Sequence, residues 1–153
     1  MATTLPINHG QVAVALLGAI THQTLATWAA VGGRPGSFFG RFRAVPRAPF
    51  ANAVVLYALT ALLGAIVYLY FRVDVRPALE QASQWTALGL FDLKEHFIAI
   101  GLALLPAYFV CWHQRGEEVS HGTRTALTSL LAFIVWWSFL VGHVMNDMQG
   151  FGG

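Results

Sequence analysis

The sequence predicts an all-α integral membrane protein: a four-transmembrane-helix antiparallel bundle with both termini on the outer, periplasmic side. Three observations carry this expectation. The 153 residues are 56% hydrophobic and 10% charged, whereas an ordinary soluble domain is about 25% charged. Residues 1–33, 48–71, 96–114 and 125–146 contain no Lys, Arg, Asp or Glu, and each run approaches the ~20 residues that a bilayer core requires. The arginines lie between those runs and are unevenly shared among the connections. Sixteen charged residues cannot cover a soluble fold of this size, so the composition excludes a disordered chain and a nucleic-acid binder. Cys111 is the single cysteine, which excludes a disulfide scaffold.

The chain reads as one membrane domain, residues 1–153, with helices near 10–31, 50–71, 88–112 and 124–147. Backbone polar groups in hydrocarbon must be satisfied within their own segment, which demands helices. Barrel strands would alternate polar and apolar residues, and these runs do not. The amino-terminal MATTLPINHG lacks a basic stretch and leads straight into the first span, so no signal peptide is expected.

Orientation follows from the basic loops. The loop 32–49 holds Arg34, Arg41, Arg43 and Arg47 without an acid, and the loop after the third span holds Arg115 and Arg124. The loop after the second span holds Arg72 and Arg76, balanced by Asp74 and Glu80. The first and third loops are therefore expected in the cytoplasm of a bacterial inner membrane. Phe38, Phe39 and Phe42 among the first-loop arginines suit a surface that meets anionic headgroups or a neighbouring subunit.

Ionisable residues inside spans are functional candidates. The first span carries His22. The third opens with FDLKEHF, which contributes Asp92, Lys94, Glu95 and His96. The fourth closes with GHVMNDM, which contributes His143 and Asp147. Counting 1.5 Å per residue puts His22, His96 and His143 in the outer half or at the midplane. His96 and His143 form the favoured ligand pair, with His22 as third member or alternate. Asp92 lies four residues before His96 and Asp147 four after His143, so each shares a helix face with its histidine. A carboxylate there would orient the ring, and Asp92, Glu95 and Asp147 are the expected supporting groups. The plainer reading is that they mark the membrane boundary. His113 and His121 bracket a loop and read as solvated interface residues, and His9 as a residue preceding the first span.

No HExxH, paired ExxH, CxxC or CxxCH motif and no phosphate-binding glycine loop is present. Soluble-type hydrolase, kinase and dehydrogenase chemistry therefore has no support. The expected function is a b-type cytochrome-like electron-transfer subunit, with haem b held between intramembrane histidines. Its partners would be the lipid bilayer, other membrane subunits, and quinone or a periplasmic electron carrier. Two alternatives stand beside it. One is a cofactor-free accessory subunit of a respiratory-type complex. The other is a copper site at the same three histidines, with Met145 and Met148 as soft ligands.

Overall fold

The computed structural model describes residues 4–32, 38, 49–114 and 119–150. The arginine-bearing part of the 32–49 loop, Phe39, Phe42, Arg115 and the side chains of Asn146, Asp147 and Met148 lie outside the described residues. Helix α1 spans Thr4–Gly32 and α2 spans Pro49–Tyr70; a π-helical turn, Phe71–Val75, then leads into the short α3, Arg76–Gln81. Helix α4 spans Trp85–His113 and α5 spans His121–Gly150. The described residues contain no strand, and four stretches are long and apolar enough to cross a membrane. Helices α1, α4 and α5 run beyond their sequence-predicted spans at both ends, most of all α1, which begins six residues earlier than expected, whereas α2 matches its span to within one residue at each end.

The π turn has a local cause. Pro77 has no amide hydrogen, and its ring crowds the carbonyl four residues back, that of Val73. The chain relieves this by widening a turn, in which the Arg76 amide donates to the Phe71 carbonyl. Helix α3 ends with Gln84 N–H on the Leu79 carbonyl (2.9 Å) and Ser83 N–H on the Glu80 carbonyl (3.0 Å). That is the paired-bond C-terminal motif that needs a left-handed residue, and Ser83 supplies it at φ 55°. In α4 the helix continues through Pro106 to His113.

Helix α1 packs on α2 and α5, and α4 packs on the same two. Side chains set the register between them. Trp136 Nε1 donates to Thr21 Oγ1 (3.0 Å) and Trp28 Nε1 to Ser129 Oγ (2.9 Å), so α1 and α5 run in opposite directions. Tyr57 Oη donates to the Ile98 carbonyl (3.1 Å), tying α2 to α4. Trp112 Nε1 donates to Thr128 Oγ1 (3.1 Å), tying α4 to α5. Small donors and acceptors of this kind hold helices together where lipid removes the usual hydrophobic drive.

The inward stripes repeat every three or four residues, as a helix face must. On α1 the stripe is Leu16, Ile20, Gln23 and Thr27; on α5 it is Leu131, Ile134, Val141 and Met145. Tyr57, Leu105 and Tyr108 meet the α1 and α5 stripes in one core cluster. A second cluster gathers Phe71, Ala87, Leu88, Phe91, Val141 and Met145. In it the Phe71 and Phe91 rings stack 3.7 Å apart, centroid to centroid.

Candidate functional site

The three histidines singled out by sequence sit on three different helices, α4, α5 and α1. His96 lies on the exposed face of α4, between Leu93 and Ile100, which are both exposed as well. His143 is exposed on α5, its ring lying parallel to that of Phe139, 6.2 Å away. His22 is half-buried and lines an open groove of about 400 Å³ between α1 and α5, with Gly18, Thr21, Leu25 and Trp136. Packing also sets their depths. The Phe97 ring meets Phe133 and Trp137, so His96 is level with residues near 137. That leaves it roughly 9 Å along the bundle axis from His143. Among the described residues, no group of three or more His, Cys, Asp or Glu side chains is gathered in metal-binding proximity.

The supporting groups are arranged through backbone and ion pairs. His96 Nδ1 lies 2.6 Å from the Asp92 backbone carbonyl. The Asp92 carboxylate instead accepts from Arg76 (3.3 Å), which also donates to Glu80 (3.0 Å). Glu95 pairs with Lys94 (3.1 Å), whose ammonium stands 4.3 Å above the Phe91 ring. These five ion-paired residues collect at the end of the molecule where α1 begins and α5 ends. An exposed pair of this type contributes little to stability, about 0–1 kcal/mol; its use here is to fix the Arg76 and Asp92 side chains across the α3–α4 turn.

No match is found. The chain was compared with protein-family models, with curated proteins and with solved structures, and none of the three yields a relative. What the site can do must come from its own geometry.

With Nδ1–H donated to the Asp92 carbonyl, the His96 ring has its tautomer fixed and its Nε2 lone pair turned away from that bond. The backbone of its own helix therefore orients this imidazole, a role that sequence had assigned to the carboxylate one turn away. Met145 is buried in the second core cluster, where it packs as an apolar side chain. His113 is exposed and stacks on Phe109 at 5.3 Å, and His121 is exposed at the start of α5.

Sequence reasoning missed the inward polar groups. His9 falls within α1, on the stripe that continues through Leu16, with its Cε1 facing the Gly64 backbone of α2. Its Nδ1 is buried without a hydrogen-bond partner. Tyr108 is fully buried, and its hydroxyl also has none. The signal was the seven-residue interval from His9 to Leu16 to Gln23, legible only once a helix starting at Thr4 is known.

Proposed function

We propose that this chain is an electron-transfer subunit of a larger membrane complex, a small b-type cytochrome-like protein holding haem b at its boundary with a neighbouring subunit. The observation that carries this reading is the outward ring of His96, set by the Asp92 carbonyl. The residue lies eleven positions into α4, roughly 16 Å from its start. An exposed imidazole at such a depth is unfavourable against lipid and calls for a partner. A ring with Nδ1–H engaged and Nε2 available is ready to serve as an axial ligand.

Haem, when bound, supplies one-electron chemistry at a potential set by its ligands and surroundings. The chain's own part is to hold the His96 tautomer and to keep water away with Leu93 and Ile100. His143 and His22 are the alternate ligands toward other faces of the assembly. Imidazole also suits copper, and a copper site here would draw remaining ligands from the neighbour. Quinone or a periplasmic electron carrier would complete the electron path. In this reading the four helices form an antiparallel bundle in the bacterial inner membrane, with both termini periplasmic and the basic 32–49 loop cytoplasmic.

A second reading has an observation of its own. Tyr57, Tyr108, Leu131 and Ile134 belong to a central core cluster that contains none of the three histidines, which suits a cofactor-free accessory subunit whose histidines bond to neighbouring helices. An absorption spectrum of the complex, extracted in mild detergent, separates the two. A Soret band that shifts on reduction and is lost in His96→Ala, with His113→Ala and His121→Ala unchanged, supports haem. A flat spectrum with no metal by elemental analysis leaves the accessory role.

A further inference from the structure

Four buried side-chain polar atoms among the described residues have no hydrogen-bond partner: His9 Nδ1, Tyr108 Oη, Trp137 Nε1 and Ser138 Oγ. Within a membrane each such group is strongly unfavourable if left dry. Ser138 stands out because a helical serine ordinarily donates to the carbonyl one turn back. Tyr108 stands out because it is 0% exposed and could have been phenylalanine without loss of packing.

These atoms succeed one another along the bundle axis. His9 is level with Gly64 of α2 and within electrostatic reach of Lys94 and Glu95. Seven residues from Gly64, roughly 10 Å along the axis, Tyr57 Oη lies at the level of Ile98 and Gly101. Ser138 is at nearly the same level, because its neighbour Trp137 meets Phe97. Tyr108 is seven residues beyond Gly101, again roughly 10 Å, and a helical side chain leans back toward the amino terminus, which shortens that gap. Thr128, next along and also fully buried, already donates to the Arg124 carbonyl and accepts from Trp112, so the line of unpartnered atoms ends at Tyr108.

We propose that the interior of the four-helix assembly holds a narrow file of bound water that relays protons between His9 and Glu95, at the end carrying the chain termini, and Tyr108 in the opposite half. A buried water satisfies about three polar groups, and a hydroxyl both donates and accepts. Tyr57 gives its proton to the Ile98 carbonyl and keeps lone pairs for a water. At each hop one O–H or N–H bond breaks on the donor as one forms on the acceptor, so a proton moves and no electron does. Leu16, Ile20, Leu131 and Ile134 belong to the same core, and these apolar side chains offer no ligand to a metal ion. The relay is independent of whether haem is bound.

The full chain reconstituted in phosphatidylcholine vesicles, with an entrapped pH dye and a potassium–valinomycin potential, tests this. The wild type acidifies the lumen faster than protein-free vesicles do, Tyr108→Phe and Ser138→Ala each slow that rate by about tenfold, the loss of roughly one hydrogen-bonding link, and His121→Ala leaves it unchanged. Equal rates with and without protein, or equal rates in wild type and Tyr108→Phe, overturn the proposal. Should Tyr108→Phe fail to fold, NMR magnetisation transfer from water to the Tyr108 hydroxyl in the wild type decides: a cross-peak supports the file, and none overturns it.

Discussion

At the scale of single residues, the tightest helix contact rests on a missing side chain. Tyr57 lies so close to Gly101 that a Cβ there would overlap its hydroxyl and ring. Gly101→Ala must therefore push the ring away and break its bond to the Ile98 carbonyl. Overpacking of this kind costs about 1–3 kcal/mol. The expected outcome is a lower thermal midpoint in detergent, recovered only in part when Tyr57→Phe is added, because phenylalanine lacks the oxygen nearest the new methyl but keeps the ring carbon Cζ, which would stand 2.6 Å from it. If Gly101→Ala melts like the wild type, α2 and α4 do not approach in this way. Residue identities were readable in advance only in part. That His96 and His143 fall within long apolar helices was legible, because His96 opens the charge-free run 96–114 and His143 lies within 125–146. Which way their rings face was not, because these helices are apolar nearly all round and the pattern alone does not select an inward side.

At the scale of elements, the ends of helices carry the polar work. Arg124 is 6% exposed, and its guanidinium donates to the Cys111 carbonyl (2.8 Å) and the Gln114 carbonyl (3.0 Å). The last carbonyls of a helix have no partner within it, so Arg124 of α5 closes the end of α4. In the sequence it counted only as one more basic residue of the third loop. Arg124→Met keeps the apolar stem but strands those carbonyls, and hydrogen bonds from a charged donor are worth about 1.5–3 kcal/mol. The mutant should unfold at lower temperature, and amide exchange should rise selectively in residues 110–114; uniform exchange along α4 would argue against a capping role. The opposite sign is expected at Ser83. A non-glycine residue in the left-handed region is strained by about 1 kcal/mol, so Ser83→Gly should raise the thermal midpoint. The π turn that precedes α3 was not foreseen, although Pro77 announces it: the uncharged run ends at Phe71, and a proline a few residues on looked like the start of a loop.

At the scale of the whole molecule, the question is which side of the membrane each end faces. The paired side chains of α1 with α5 put the amino-terminal end of α1 and the carboxy-terminal end of α5 together, so one side holds the start of α1, the end of α5 and the α3 turn, and the other the end of α1, the starts of α2 and α5 and the end of α4. In the sequence, Arg34, Arg41, Arg43, Arg47, Arg115 and Arg124 fall in or beside the two connections between those latter ends, against Arg72, Arg76 and Lys94 towards the former. Arg124 is committed to capping α4, yet five basic residues still exceed three. Positive loops stay on the cytoplasmic side, so we expect both termini outside. With Cys111 replaced by alanine to remove background, Gln81→Cys should react with an impermeant maleimide in intact cells, whereas Ser37→Cys should react only after the membrane is opened. Gln81 is exposed at the end of α3, so a failure to label it would reflect the side it faces and not burial in the fold. The reverse pattern would place the arginines outside, and with them the His9–Glu95 end of the proposed proton file would face the cytoplasm.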